Sequence, residues 1–421
     1  MNRLISILVC LLLLTLLYPT TLSSSNNTTI YVDDDNTEGP WDGTREHPYQ
    51  YIHNAVNASQ SGDTIFVFEG RYFYYPHPEW GPQVSINKAS IKLIGEDRDS
   101  TIIDGEGRHH HVVSIEADNV SISGFTIKDG SVGIIMDAGH NNITVTENTI
   151  SSHNNSGIYF GHSSYNSIHH NLIQDVRDGI SLHGSSHNVI SDNTFLNSGI
   201  TVLDSYQNTM FNNTVNGEPL LYLEHEVDQS IVHDVGQVIL VSCENITVQH
   251  QTISDLGPAI MAIRCKHCSF SLNNLSGNRW GIILLYSQEN TIYGNTITSN
   301  EIGIDISESH HNYVSGNRVR QNEFGILLGE LWLPPAGSDE NEISRNLITS
   351  NTCGMFLFFS DQNRISKNNF LQNTIHAIND ESYHSNWNGN YWDRPRILPK
   401  LILGGCDWNP RLFPCYIGDK P

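Results

Sequence analysis

Along most of the chain, apolar residues come in short runs that alternate with polar ones, and the pattern returns every 20 to 24 residues. The stretch "NTIYGNTITSNEIGIDISESHHN" (Asn290 to Asn312) begins again, altered, as "NYVSGNRVRQNEFGILLGE". An asparagine column aligns these units: Asn148, Asn171, Asn193, Asn213, Asn274, Asn295, Asn317, Asn346 and Asn369, with Gly124 and Gln251 in the same place in two further units. A glycine column runs alongside it: Gly133, Gly157, Gly179, Gly199, Gly281, Gly303, Gly325 and Gly354, each followed by an apolar residue. Two steps are longer, one after Asn213 and one after Asn317.

A unit of about 22 residues with three short strands cannot bury its own apolar face, whereas stacked units can. The pattern therefore predicts an all-β chain, a parallel β-helix of three-strand coils about 4.8 Å apart. Asparagine tolerates the left-handed turn conformation, and stacked amides can bond along the helix axis. Glycine is expected to mark another turn with positive φ. Both columns read as structural.

The open ends of such a stack need covers. Pro48 ahead of Ile52, Ala55 and Val56 predicts a short amphipathic helix capping the first coil. From residue 386 the repeat stops, and "NYWDRPRILPKLILGGCDWNPRLFPCYIGDKP" reads as an irregular C-terminal cap or flap. The expected organisation is a signal peptide over 1–25, N-terminal cap and first coils over 26–115, repeats over 116–385 and the flap over 386–421.

Charge narrows the partners. The formal charge is −23, from 22 Lys+Arg against 45 Asp+Glu, so nucleic acid and anionic lipid are disfavoured. Arg3 followed by the apolar run Leu4 to Leu17 reads as an export signal, too short for a comfortable membrane span. Nine Asn-x-Ser/Thr sequons, the first at Asn26, permit glycosylation. A secreted or cell-envelope location is expected, with no transmembrane segment in the mature chain.

The segments "TIYVDDDN", "GDTIFVFEGRYF", "IKLIGED", "TIIDGEG" and "ADNVSISGFTI" resemble the opening of secreted NosD-type proteins. The likeness continues through "VNGEPLLYLEHE", "GQVILVSCENITV" and "NGNYWDRPRILPKLI". It implies a right-handed parallel β-helix of the pectin-lyase type, with repeats described as carbohydrate-binding and sugar-hydrolysis domains. The family name comes from periplasmic proteins assisting copper-site maturation in nitrous oxide reductase, so copper enters by name alone; no cofactor or metal ligand set is expected. Many relatives are exported proteins without an assigned reaction, and the flap resembles that of an archaeal branch.

The polygalacturonase-type run of Asn-Thr-Asp, Asp-Asp and Gly-His-Gly is missing, as is an epimerase-like Asp-Pro-His-Asp. What remains is geometric. Side chains two and four positions after each glycine should face outward. The early coils then offer Asp137, Tyr159, His162, His183 and Asp204 on that face or its edge, with Arg177 and Asp178 nearby. Tyr159 and His162 could contact a glycan, Tyr159 by stacking; Asp137, His183 and Asp204 are the candidates should the face be catalytic. Three readings stay open: a glycan-binding surface protein without a reaction, a polysaccharide-modifying enzyme (lyase, epimerase or hydrolase), and a copper-maturation accessory.

Later coils place Ile283, Leu285, Leu327, Phe356 and Phe358 on the same face, and "RPRILPKLILGG" is expected to cover them. Trp332, on the insertion "GELWLPPAGSDE", could be a sugar platform or could pin its loop. Cys406 and Cys415 bracket a short loop and suggest a disulfide. Cys243, Cys265 and Cys268 fall in adjacent coils; a Cys243–Cys265 disulfide, free buried thiols and a thiolate metal site all remain open.

Overall fold

A computed structural model of the chain describes residues 27–73, 81–329, 337–415 and 417. The chain forms a right-handed parallel β-helix, and the expected helical cap is present over Ile52–Ala58, with Ile52, Ala55 and Val56 buried against the first coils. Each coil contributes one strand to each of three sheets. Inward positions hold Ile, Val, Leu and Phe, stacked in register: Ile134 on Ile158 on Ile180 on Ile200, and Ile260 on Ile282 on Ile304 on Ile326. All eight are fully buried, so each coil is held by the apolar area that it shares with its neighbours.

The stack has two sections. In the first, one sheet runs from Thr29–Val32 to Thr209–Phe211 and another from Val84–Ile86 to Ile200–Leu203. The third ends at Thr214–Val215, where a tight turn at Asn216 and Gly217 leads into the antiparallel strand Glu218–Glu224. That strand opens a parallel series ending at Ile375–Asp380. The longer step after Asn213 is thus the joint between the sections. Gln237, fully buried, fills it: its Oε1 accepts from the Ile200 N–H at 2.9 Å, and its Nε2 donates to the carbonyls of Ile200 at 2.7 Å and Pro258 at 2.8 Å. The side-chain amide satisfies backbone groups that a neighbouring strand would otherwise satisfy.

The asparagine column forms ladders. Asn148, Asn171, Asn193 and Asn213 bond in sequence, amide to amide, at 3.0–3.2 Å. In the second section the members are Asn273, Asn295, Asn317, Asn346, Asn368 and Asn390. Two expected positions are therefore off by one. Asn274 faces solvent, and Asn369 instead holds the backbone of Cys415 at 2.7 and 2.9 Å. In the earliest unit the ladder position is Phe125, not Gly124, because the Phe125 N–H bonds the Asn148 carbonyl oxygen at 3.1 Å. The left-handed residue is the one before each ladder asparagine, such as His170, Asp192 or Lys367. Further ladders occupy the other turns: Asn290, Asn312, Asn341 and Asn363, and Asn278, Asn300, Asn322, Asn351 and Asn373.

The glycine column also has a different cause from the one expected. None of its eight members has positive φ. They lie where coils approach most closely. A Cβ on Gly281 would stand 2.6 Å from the carbonyl oxygen of Gly303, and one on Gly303 would stand 2.5 Å from that of Gly325.

The final coils end on Asp407. This fully buried carboxylate accepts from the Asn390 backbone and side chain and from the Trp392 indole, at 3.0–3.1 Å. It terminates the ladder as another asparagine oxygen would. The flap around it is the hairpin Lys400–Ile402 and Gly405–Asp407. The flap does not blanket the later face, contrary to expectation: Ile397, Leu398, Leu401 and Leu403 are 68–89% exposed. It bonds the edge of the last coil, Asn379 to Leu403 and Gly404.

Candidate functional site

The glycine that opens each long strand sets which side chains face outward. Tyr159, Ser181 and Thr201 are stacked in register on that face, with His183 one pleat further along. The Tyr159 and His183 rings lie 5.1 Å apart, tilted by 40°. His183 Nε2 lies 3.2 Å from the Ser181 hydroxyl. Asp137 reaches across from the preceding coil over Gly161; a Cβ there would run into both its carboxylate and the Tyr159 ring. The missing side chain at Gly161 is thus taken up by the Asp137 carboxylate, which forms one polar cluster with Tyr159 and His183.

The electrostatics of the cluster favour neutral rings. Burial pushes the His183 pKa down, against the opposing pull of Asp178 and Asp204, so the imidazole is neutral at pH 7. Burial and the Asp137 charge push the Tyr159 phenol up, so it keeps its proton. The site presents one carboxylate acceptor, one phenol donor and one neutral imidazole. That set suits sugar hydroxyls, each of which donates one hydrogen bond and accepts others.

The remaining expected residues lie at the edge or elsewhere. His162 is exposed, and its ring lies over Gly184. Asp204 is exposed and accepts from the Tyr206 hydroxyl at 3.3 Å. Trp332 falls outside the described residues.

Sequence reasoning missed a polar network beside this face. Asp178 is buried, accepts from Thr201 at 2.7 Å and pairs with Arg279 at 3.1 Å. Arg279 lies 4.0 Å over the Trp280 ring, while Arg177 grips Glu301 with two bonds at 2.8 and 3.0 Å. The pairs span 101 and 124 residues. The adjacent Arg177–Asp178 pair was the one sequence signal, and its partners depend on how the two sections meet.

The later face is largely apolar and only partly covered, with Leu285, Phe356 and Phe358 half-buried. Ile283 and Leu327 are 3% and 2% exposed, and Asp305 among them is bonded by Ser307 and the Trp280 indole.

All six cysteines among the described residues are free thiols, so neither the Cys406–Cys415 nor the Cys243–Cys265 disulfide is formed in the structure. Cys265 and Cys268 stand in as ladder rungs. Their backbone N–H groups bond Ser287 and Asn290, both at 2.9 Å, where serine and asparagine continue the series. A thiol–thiol hydrogen bond draws Cys243 down to about 7 and pushes Cys265 up. Cys415 is fixed through its backbone by Asn369.

Copper ligation finds no donor set of three or more among the described residues. His169 and His170 approach at 2.9 Å, but their nearby polar partner is the Thr146 hydroxyl. No group of three or more His, Cys, Asp or Glu among the described residues is arranged to hold a metal ion. No helix among them is long and apolar enough to cross a membrane.

Fold and face together define a parallel β-helix protein with a polar cluster on one outward sheet. The chain belongs to the NosD family, described as periplasmic copper-binding protein: the family pattern matches residues 56–230 and again 224–397. The two matches meet in the segment that joins the two sections. No curated protein matches the chain. Among solved structures it is similar to the A-module of mannuronan C-5 epimerase AlgE6 from Azotobacter vinelandii, at 13% identity over 86% of this chain and 90% of that one, with a TM-score of 0.32. It is also similar to pectate lyase Pel9A, at 11% identity over 80% and 79% with a TM-score of 0.34. An alginate lyase from Paenibacillus sp. str. FPU-7 gives 12% identity over 83% and 99%, with a TM-score of 0.32.

Proposed function

We propose that this chain is an exported protein of the cell envelope or its exterior that binds a glycan along the early outward face, with Tyr159 as the stacking platform. The observation that carries this reading is the cluster around Gly161. The lack of a side chain there lets the Asp137 carboxylate lie over Gly161 beside the Tyr159 ring, which in turn lies 5.1 Å from the His183 ring, so a carboxylate, a phenol and a neutral imidazole share one outward patch. Coil spacing of about 4.8 Å approximates the length of a sugar ring, so residues of successive coils can contact successive sugars. The apolar segment at residues 4–17 supports export.

A glycan array on the mature protein tests the reading. Binding should appear for the wild type and weaken for Tyr159→Ala by about 0.5–1.5 kcal/mol, the worth of one aromatic contact. A second reading has one observation behind it: a neutral, half-buried imidazole beside a protonated phenol is a general base beside a general acid. If the face modifies polysaccharide, mass analysis should find product with wild type and none with His183→Ala.

A further inference from the structure

The C-terminal end holds a cleft of about 430 Å³ between the last coils and the flap. Its walls carry Arg364, Lys367 and Arg411, together with Asn388, Asn409 and Phe413. Among the described residues, no acidic one lines it. All three cationic residues are exposed, and none makes an ion pair among the described residues. Glu342 stands beside Arg364 in the strand register, yet their charged groups are not within ion-pair distance. The charges of Arg411 and Lys367, joined by that of Arg345, also bear on the Cys415 thiol and oppose the effect of its burial.

In this chain that arrangement is out of character. Asp+Glu outnumber Lys+Arg by 45 to 22 overall, so an average cation has anions to spare around it. Over residues 340–421 the two kinds balance at eight each. Another cleft of similar size shows what pairing looks like here. Its cations, Arg177 and Arg279, are both engaged, by Glu301 and by Asp178. At the C-terminal cleft three like charges line one space, and an anion bound among them would relieve their mutual repulsion. The volume falls in the range of small-ligand sites. Phe413 is 73% exposed and supplies an apolar face, while Asn388 and Asn409 supply amide donors and acceptors. Cations, an open ring face and amides together fit a carboxylate-bearing sugar better than a bare inorganic ion, which has no use for the ring.

We propose that this cleft is a binding site for an acidic saccharide, a uronate whose carboxylate sits among Arg364, Lys367 and Arg411 and whose ring stacks on Phe413. The site is separate from the face bearing Tyr159 and stands or falls independently of it. The chain's overall negative charge does not forbid the contact, because at physiological ionic strength charges beyond about 8 Å are largely screened.

Calorimetric titration of the full mature protein with trigalacturonate tests this, with neutral galactobiose and inorganic sulfate as comparison ligands. Saturable binding of trigalacturonate and none of galactobiose is expected. Lys367→Glu and Arg364→Glu, both changes at exposed positions, should each weaken it about tenfold or more, in line with a lost charged hydrogen bond. Phe413→Ala should weaken it several-fold, and raised salt should weaken it. Thermal melts of each variant establish that the fold persists. No saturable heat, equal binding of the neutral sugar, or indifference to both charge reversals would overturn the proposal. Sulfate competing fully while Phe413→Ala has no effect would reduce the cleft to an anion site and overturn the saccharide assignment.

Discussion

Asn295 shows how much one side chain carries. Its carbonyl oxygen accepts from the Asn273 backbone and side chain, and its amide donates to Phe270 and Asn317, all at 2.9–3.0 Å. Asn295→Ala leaves these buried groups without partners at roughly 1–3 kcal/mol each. The melting temperature should fall clearly; an unchanged value would contradict the ladder. His153 makes a second residue-scale prediction. It is 4% exposed, its Nδ1 accepts from Gly130 at 3.2 Å and its Nε2 donates to Ile127 at 3.1 Å, both uses of a neutral ring. Burial brings its pKa down to about 4 from 6.5. Between those values the unfolded chain holds the extra proton, so stability is complete above pH 6.5 and is lost as pH falls towards 4. The loss amounts to roughly 3 kcal/mol. Ring NMR should show His153 untitrated at pH 6; a midpoint near 6.5 would contradict the account. At this scale the sequence showed that asparagines stack, but not which of two adjacent ones does. Asn273–Asn274 and Asn368–Asn369 differ only in which face of the pleat they take, and the pattern alone does not decide that.

At the scale of the element, the coil was legible because its strand pattern and its turns repeat together. The role of the glycines was not, because it arises between coils. Their φ values need no glycine; the approach of the next coil's carbonyl does. Gly303→Ala would put a methyl group 2.5 Å from the Gly325 carbonyl oxygen, a backbone atom that cannot turn aside. Overpacking of this kind costs about 1–3 kcal/mol. Gly107, beside which nothing lies within 4 Å of an added Cβ, is a control for crowding, though its φ of +69° adds its own strain. Chemical denaturation should show the Gly303 variant less stable than wild type. Equal midpoints would mean that the coils can move apart. The same register explains the partial legibility of the site. Tyr159, Ser181, Asp137 and His183 follow from counting onward from each glycine, whereas the seat of the Asp137 carboxylate over Gly161 appears only once neighbouring coils are stacked.

Over the whole molecule, two stacks of coils meet at a joint closed by Gln237, with Asp178–Arg279 and Arg177–Glu301 bonded across it. The insertion after Asn213 marked where the repeat breaks, but not that residues more than a hundred positions apart would meet there. The flap was legible as a non-repeating end, and its apolar residues suggested a cover for the later face. Instead Asp407 stops the ladder and most of the flap's large apolar side chains stay exposed. The resulting body is a stacked surface whose frame the repeat supplies, and the proposed function rests on the side chains that interrupt it. The most direct measurement of that claim is a glycan array on wild-type protein and on Tyr159→Ala, both shown by thermal melting to be folded. The account predicts a defined set of bound glycans for the wild type and weaker signals across that set for the variant. An array blank for the wild type, or one that Tyr159→Ala leaves unchanged, would contradict it.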